Sequence, residues 1–346
     1  MSDEWKQLVT DNTEATDASK IESVQTLWSG YGEIFRVQLI PESLGTLIIK
    51  QVTPPTVSQH PRGWNSDRSN LRKLKSYEVE ANWYNDWSHL CHRDCRVARN
   101  IATQASSGKS HNGISHNGIT ENQSWILMED LDAGGYHIRH SSLTPEQTKP
   151  CLRWLANFHA CFLQSAPTGL WQVGTYWHLD TRPDEFAVMQ NSELKDNAAK
   201  IDQLLSRCKY QSLVHGDAKV ANFCFHRDKH KVAAVDFQYV GGGCGMKDVA
   251  YFFGSCFSEI ECERYVPDLL DYYFKELQLA VLQGALANSI DHQELEHEWR
   301  TLFAPAWTDF YRFLAGWMPE HAKIHQYTQK LARQTLAMDA LVQIEI

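Results

Sequence analysis

The sequence lacks the features that mark secreted, membrane-spanning and nucleic-acid-binding chains. Its first ten residues are acidic, without the basic and apolar regions of a secretory signal. No apolar run approaches the roughly 18 residues that a membrane span requires. No long lysine or arginine run occurs and the net charge is -9, which argues against a nucleic-acid partner. We therefore expect a cytoplasmic protein without a membrane span.

The cysteines show no pattern of a disulfide framework. There are nine, an odd number, scattered along the chain without regular spacing, which is typical of reduced thiols in a cytoplasm. Cys91 and Cys95 stand near His92, but no second cysteine pair at zinc-site spacing accompanies them. We interpret these residues as structural and predict no zinc site.

Length and composition indicate a globular protein with two lobes. The chain has 346 residues, more than one hydrophobic core usually serves, with 43% hydrophobic and 22% charged residues. Strand-like patterns fill the first third and helical patterns the remainder, which predicts an α+β fold. We place the boundary after a strand that ends in glycines, so that the predicted lobes are residues 1–131 and 132–346.

Hydrophobic periodicity predicts the elements of both lobes. Residues 1–20 are polar and predict a loose lead-in, and 109–120, where SHNGI occurs twice, predict an exposed hairpin tip. Thr144, followed by Pro145 and Gln147, is a helix-start signature. The other predicted elements are strands at 34–39 and 46–52, a helix at 74–87, strands at 95–103 and 124–131, and mostly helices over 258–346.

The segment 213–237, LVHGDAKVANFCFHRDKHKVAAVDF, carries the strongest pattern of polar residues. His215 and Asp217 form a His-x-Asp triplet, Asn222 follows five residues after Asp217, and Asp236 ends an apolar run. Two strand-like stretches around a polar turn predict a hairpin that returns Asp236 beside Asn222. An amide oxygen and a carboxylate would then converge, which suits a hard cation such as Mg²⁺.

This pattern fits the needs of phosphoryl transfer. The reaction requires that the charge of the triphosphate be neutralised and that the acceptor hydroxyl be aligned with the γ-phosphorus. Asp217 could orient that hydroxyl and take its proton, while Asn222 and Asp236 could hold Mg²⁺. Lys219 could place its ammonium on the moving phosphoryl group. The structural alternative is a tight turn at Gly216 with two surface aspartates.

These motifs carry a family resemblance. HGDAKVAN followed by VAAVDFQ resembles the aminoglycoside phosphotransferase and choline kinase superfamily, and MKDVAYF with Asp248 makes the chain most similar to its ecdysteroid-kinase-like branch. The resemblance implies a bilobal protein-kinase-like fold, with an antiparallel sheet and one main helix in the N-terminal lobe and a larger, mainly helical C-terminal lobe. It also implies ATP with Mg²⁺ and a small-molecule alcohol as acceptor.

The resemblance assigns further nucleotide-binding residues in the first lobe. Lys50 stands where the family has a strand lysine that contacts the α- and β-phosphates; the alternative is an exposed strand-end lysine. Its expected partner is a helix glutamate, and both Glu80 and Glu78 lie close to the apolar stripe of the 74–87 helix. Glu80 is the predicted partner.

Two backbone segments complete the predicted nucleotide site. Gly30 and Gly32 occupy the place of the phosphate-covering loop, where glycine would let N–H groups approach the phosphates; a plain turn between strands is the alternative. Met128 and Glu129 begin the segment that resembles the connection between lobes, whose backbone meets adenine in the family.

The acceptor is less defined than the nucleotide. A late helical stripe could be core packing or an aromatic wall, and 241–245 (GGGCG) could be a mobile segment or a turn. Choline-like amines, sugars, aminoglycosides and sterols all remain open as acceptors, as does the oligomeric state. A non-catalytic nucleotide-binding module and a metal-dependent hydrolase are the competing functions. The stripe consists of Trp307, Phe310, Tyr311, Leu314 and Trp317.

Overall fold

The computed structural model describes residues 4–27, 30–54, 67–104 and 123–344. It divides into two compact units, of which the first comprises Met1–Leu90 and Val97–His137 and the second Cys91–Arg96 and Ile138–Ile346. The assignment of nucleotide binding to one lobe and of catalysis to the other stays a prediction. The expected hairpin tip at 109–120 lies outside the described residues.

The described part of the first unit is an antiparallel sheet with two helices. The five strands lie in the order β1-β2-β3-β5-β4. The elements are α1 (Glu4–Asn12), β1 (Asp17–Thr26), β2 (Gly32–Ile40), β3 (Thr46–Val52), α2 (Asp67–Asn82), β4 (Asn100–Gln104) and β5 (Ser124–Glu129), with one π turn at Trp83–Trp87 after α2.

The alternation of side chains along the strands explains how the sheet packs. Phe35 and Val37 of β2 are buried in one hydrophobic cluster with Val9 of α1, because residues two apart on a strand share a face. Tyr77 of α2 instead joins a separate cluster with Val52, at the end of β3. The predicted strands at 34–39 and 46–52 are confirmed.

The start of the chain differs from the expected loose lead-in. Residues 1–20 were predicted without regular structure, but α1 and β1 cover most of them. β1 is an edge strand, and Ala18 is its one buried residue within the described range. Since a solvent-exposed edge strand needs no apolar alternation, and charged residues suit such an edge, the sequence carries almost no signal for it.

The second unit is mainly helical over the residues that the structure describes, with two short two-stranded sheets. β6 pairs with β9, and β7 pairs with β8. The elements are α3 (Pro145–Cys161), α4 (Pro183–Val188), α5 (Ser192–Ser206), β6 (Ser212–Val214), β7 (Phe223–Phe225), β8 (Val232–Ala234), β9 (Gly241–Gly243), α6 (Met246–Cys256), α7 (Glu259–Gln283), α8 (His292–Trp317), α9 (Gln326–Leu336) and α10 (Asp339–Val342).

The start of α3 confirms the helix-start signature. The Thr144 hydroxyl accepts from the Gln147 N–H at 3.4 Å, and the Gln147 side chain accepts from the Thr144 N–H at 2.9 Å. This reciprocal capping satisfies two donors that a helix start would otherwise leave unpaired. Pro145 occupies the first turn, where its missing N–H costs nothing.

The glycine run at 241–245 is neither a mobile segment nor a turn over its first three residues. Gly241–Gly243 forms β9, which pairs with β6 directly before the His215-x-Asp217 triplet. A Cβ on Gly241 would lie 2.2 Å from the Trp171 carbonyl oxygen, so the chain needs glycine for close packing here. The expectation missed this because glycine is a poor indicator of strands.

None of the helices in the described ranges combines the length and the apolar character that a membrane span needs.

Two buried glycines within helices of the second unit provide a matched test of close helix packing. A Cβ on Gly316 of α8 would lie 2.1 Å from the Glu185 carbonyl oxygen, whereas one on Gly254 of α6 would meet the Trp307 ring at 3.7 Å. We expect Gly316→Ala to lower the free energy of unfolding by about 1–3 kcal/mol. Gly254→Ala should instead be neutral or stabilising by about 0.5–1 kcal/mol. Equal effects in urea unfolding would contradict the packing described.

Candidate active site

A single carboxylate anchors the loop that follows β6. Asp248, in the first turn of α6, accepts from the His215 N–H at 2.6 Å and from the Gly216 N–H at 2.9 Å. Gly216 has φ +79°, and a Cβ there would lie 2.1 Å from the Tyr239 carbonyl oxygen, so the turn requires glycine. His159 Nε2 lies 3.2 Å from the same carboxylate and the residue is fully buried, so His159 is a core histidine with a polar partner.

His215 holds the loop through both ring nitrogens. Nδ1 accepts from the Asp217 N–H at 3.2 Å, and Nε2 lies 3.0 Å from the Val235 carbonyl oxygen, to which it donates. A neutral imidazole satisfies both bonds, one nitrogen accepting and the other donating. His215 thus links the loop to the end of β8, which is a structural role.

The Asp217 side chain lies in a cage of hydrogen-bond donors. Lys219 Nζ and Asn222 Nδ2 donate to its Oδ2 at 2.7 and 3.0 Å, and the Tyr251 hydroxyl donates to Oδ1 at 3.1 Å. The structure therefore brings together Asp217, Lys219 and Asn222, three of the candidate site residues. No local pattern pointed to Tyr251, because it lies in α6, 34 residues away from Asp217 along the chain.

The charges in this cage shift one another's pKa. Burial raises the pKa of the Asp217 carboxyl; the Lys219 ammonium opposes the rise and Asp236 adds to it. Burial works against the charge of Lys219, but the charge and hydrogen bond of Asp217, together with the charge of Asp236, raise the pKa of the ammonium. Burial and the nearby Asp217 raise the pKa of the Tyr251 hydroxyl well above its usual range. Asp217 is thus a stronger base than an ordinary aspartate, and Lys219 keeps its charge.

Asn222 and Asp236 present oxygen atoms that fit a hard cation. The Val235 N–H donates to the Asn222 carbonyl at 3.0 Å, and Asp236 is the residue that directly follows Val235. Asp236 has the unusual φ of +70°, and its Oδ1 is buried without a hydrogen-bond partner. The Asn222 amide nitrogen donates to Asp217, which leaves its amide oxygen as a ligand atom. A buried carboxylate oxygen without a donor suits Mg²⁺.

The described residues offer no complete protein cage for a metal. They contain no group of three or more His, Cys, Asp or Glu side chains that could hold one. Mg²⁺ characteristically binds through one or two carboxylates together with substrate phosphates and water. The pair Asn222 and Asp236 therefore fits Mg²⁺ that arrives with a nucleotide.

In the first unit, Lys50 forms a buried ion pair with Glu80. The two side chains are 4% and 3% exposed, and the Lys50 ammonium also lies 5.6 Å from the centre of the Tyr77 ring. Glu78, the other candidate, pairs with Lys75 at 3.1 Å on the exposed face of α2. Lys50 is therefore not an exposed strand-end lysine, and its role at the phosphates stays a prediction.

The backbone around Gly30 and Gly32, at the start of β2, favours glycine for local structural reasons. Gly30 and Gly32 have φ of +74° and +130°, and a Cβ on Gly32 would lie 2.0 Å from the Gln51 carbonyl oxygen. The Gly32 carbonyl also accepts from the Leu27 N–H at 2.8 Å. The close approach of β3 thus explains Gly32 by itself, while a Cβ on Gly30 would meet nothing within 4 Å. Their contact with phosphates stays a prediction.

The segment predicted to meet adenine lies at the end of β5. Met128 is buried and pairs with Asn100 of β4. The Glu129 N–H donates to the Arg99 carbonyl at 3.0 Å, and its side chain accepts from the Arg99 N–H at 3.1 Å. The backbone donor of Glu129 is thus already used within the sheet edge, and an adenine contact stays a prediction.

The late aromatic stripe is largely core. Phe310 and Leu314 of α8 are buried in a cluster with Trp177, and the Phe310 ring meets the Tyr251 ring at 4.9 Å. Trp317, at the end of α8, is only partly buried against this cluster. Packing therefore explains most of the stripe, and its Phe310 edge reaches the tyrosine that touches the Asp217 carboxylate.

Comparison with known families shows to which family the chain belongs. The sequence profile of the ecdysteroid kinase-like family matches residues 55–167 and 187–286, more than half of the chain. The chain belongs to this family. The resemblance drawn from HGDAKVAN and MKDVAYF is therefore confirmed. A search among curated proteins gave no significant match.

Solved structures show the fold of this family member. A protein from Ralstonia eutropha described as an aminoglycoside phosphotransferase superposes with a TM-score of 0.50 at 12% identity, covering 97% of this chain and 95% of its own. The predicted α+β, protein-kinase-like fold is confirmed. A microcompartment-associated aminopropanol kinase is less similar, with a TM-score of 0.47 at 14% identity, covering 99% of this chain and 94% of its own. An amicoumacin kinase in complex with AMP-PNP and Ca²⁺ has a TM-score of 0.48 at 12% identity, covering 92% of this chain and 88% of its own.

The loop anchor gives a stability prediction. Asp248→Ala would leave the buried N–H groups of His215 and Gly216 without acceptors, and each such loss costs about 1–3 kcal/mol. We expect the free energy of unfolding to fall by at least about 2 kcal/mol. Asp180→Ala is the control, because the Asp180 side chain is 91% exposed. Equal stability of the two variants in urea unfolding would contradict the anchoring role.

Proposed function

We propose that the protein is an ATP-dependent phosphotransferase that moves the γ-phosphate to a hydroxyl of a small molecule. The observation that carries the proposal is the buried Asp217 carboxylate, held by three donors beside an aspartate whose Oδ1 has no partner. Membership of a family described as ecdysteroid kinase-like supports it, as does the fold shared with a protein described as an aminoglycoside phosphotransferase.

Asp217 is the proposed general base. Its carboxylate would accept the proton of the acceptor hydroxyl as that oxygen attacks the γ-phosphorus, and its donors would orient it for this step. The raised pKa of the buried carboxyl makes it a better proton acceptor than a solvated aspartate. The Tyr251 hydroxyl would keep Oδ1 in place, so that the carboxylate cannot rotate away from the hydroxyl.

Lys219 is the proposed partner of the transferred group. Its side chain is 38% exposed although its ammonium pairs with Asp217, so it is able to turn toward a phosphate. A fixed positive charge there would stabilise negative charge that develops on the phosphoryl oxygens. Lys50, held by Glu80, is the proposed ligand of the α- and β-phosphates.

Asn222 and Asp236 are the proposed ligands of Mg²⁺. When bound, the ion would neutralise charge on the phosphate oxygens and fix their orientation. The chain would contribute the Asn222 amide oxygen and the buried Oδ1 of Asp236, while Asp217 remains with its own three donors.

The reaction is tested by a transfer assay with product detection. Purified protein with Mg²⁺ and ATP is screened against amine alcohols, sugars, aminoglycosides and sterols, and ³¹P NMR distinguishes a phosphate ester from free phosphate. The proposal expects an ester with at least one acceptor class. Release of free phosphate alone would indicate a hydrolase, and tight ATP binding without turnover would indicate a regulatory module.

The base assignment predicts a specific kinetic loss. Asp217→Asn keeps the size of the side chain but removes its basicity, so kcat should fall by about 10²–10⁴ while ATP affinity stays nearly unchanged. Asp228→Asn is the control, since Asp228 lies in the exposed turn of the β7–β8 hairpin. Near-normal transfer by a correctly folded Asp217→Asn protein would remove Asp217 from the mechanism.

The metal assignment predicts a different loss. Asp236→Asn should abolish most of the gain in ATP affinity that Mg²⁺ gives the wild type, because an amide is a weaker ligand than a carboxylate for a hard cation. Calorimetric titration of ATP with and without Mg²⁺ measures this difference directly. A variant that retains the full Mg²⁺-dependent gain would show that Asp236 does not bind the ion.

A further inference from the structure

Lys323 is a cation placed over two aromatic rings close to Asp217. It lies in the connection between α8 and α9, and its ammonium is 5.5 Å from the centre of the Tyr251 ring and 5.7 Å from that of Phe310. Its backbone is fixed at both polar groups, since its N–H donates to His321 Nδ1 at 3.1 Å and its carbonyl accepts from the Thr328 hydroxyl at 2.8 Å. The side chain thus starts from a well-defined position.

This position links Lys323 to the proposed catalytic carboxylate. The Tyr251 ring beneath the ammonium carries the hydroxyl that donates to Asp217 Oδ1 at 3.1 Å. Burial lowers the pKa of Lys323, while the negative charge of Asp217 opposes the shift and the positive charge of Lys219 adds to it. Lys323 therefore lies within the electrostatic reach of both proposed catalytic side chains.

The ammonium of Lys323 has no oppositely charged partner among the described residues. Over the parts of the chain that the structure describes, it forms neither an ion pair nor a hydrogen bond. Lys330, the next lysine, also lies over a tyrosine ring, but Glu263 pairs with it at 2.8 Å. Lys323 is half-buried, and the donors of its ammonium are left for a ligand oxygen.

A second cation covers the neighbouring rings. The Arg182 guanidinium lies 5.5 Å from the ring centres of both Tyr176 and Phe313, and the Tyr176 ring packs against Tyr251 at 5.7 Å. Aromatic faces bind amines and quaternary ammonium groups through cation–π attraction. Here the protein's own cations already lie over these faces, so a positively charged acceptor would meet repulsion instead.

We propose that Lys323 determines acceptor specificity: it binds an anionic or hydrogen-bond-accepting oxygen group of the alcohol and excludes alcohols that carry an amine. This inference rests on the proposed phosphotransferase function and names its acceptor class. Specificity here combines an attractive contact with the ammonium and a repulsive one against the wrong substrate. Of the acceptor classes considered, it disfavours choline-like amines and aminoglycosides and favours acidic or neutral hydroxylated compounds.

A matched series of acceptors tests the inference. Three benzyl alcohols that carry a para carboxylate, carboxamide or aminomethyl group differ mainly in charge. Their affinities are measured by calorimetry in the presence of Mg²⁺ and AMP-PNP, which requires no turnover. We expect the wild type to bind the carboxylate about tenfold or more tightly than the amine, with the amide between them.

Substitutions at Lys323 assign the preference to this residue. Lys323→Gln should remove most of the discrimination and Lys323→Glu should invert it, while the affinity for Mg²⁺-ATP stays unchanged. Lys330→Gln is the control and should behave like the wild type. The inference is overturned if the wild type binds none of the three alcohols, or if both Lys323 variants retain its preference. A loss of nucleotide affinity instead of acceptor discrimination would also overturn it, because Lys323 would then bind a phosphate of ATP.

The same proteins separate this inference from the function on which it rests. A charge preference that depends on Lys323, without ester formation by any acceptor, would reject phosphoryl transfer and keep the specificity assignment. Ester formation with a preference that Lys323 does not affect would keep the function and reject the assignment.

Discussion

The candidate site depends on the Asp248 carboxylate, which accepts two consecutive backbone N–H groups from the loop after β6. These bonds fix His215 and Gly216, and the His215 ring in turn ties the Asp217 N–H to the carbonyl of Val235. One buried charge in α6 thereby sets the position of the proposed base and of the hairpin end that carries Asp236. A buried carboxylate is costly by itself, so its hydrogen bonds are what make it tolerable.

Under the proposed function, the charges around this anchor match a ligand that brings compensating charge. Asp217 is balanced by Lys219, whereas Asp236 keeps one buried oxygen without a donor, and Lys323 keeps an ammonium without an acceptor. A magnesium nucleotide would supply the cation for Asp236. An oxygen of the acceptor would supply the partner for the Lys323 ammonium. In the proposed reaction each of these two groups would face one substrate, Asp236 the magnesium nucleotide and Lys323 the acceptor.

The sequence allowed prediction of those parts of the fold and site that follow from local spacing. The hairpin after Asn222, the capping box at Thr144 and the strand with Lys50 all follow from short-range patterns. Long-range contacts had no such signal: Tyr251 meets Asp217 across 34 positions, and Lys323 lies over rings from two other helices. The polar edge strand β1 and the glycine strand β9 were missed because neither shows the apolar alternation on which strand prediction depends.

The central claim is that Asn222 and Asp236 hold a divalent cation on a triphosphate beside Asp217. A crystal structure with AMP-PNP and Mn²⁺, with the ion located by its anomalous scattering, tests it most directly. The account predicts an ion at about 2.1 Å from the Asn222 amide oxygen and from a carboxylate oxygen of Asp236. An ion bound to the nucleotide with both side chains out of coordination distance would contradict it.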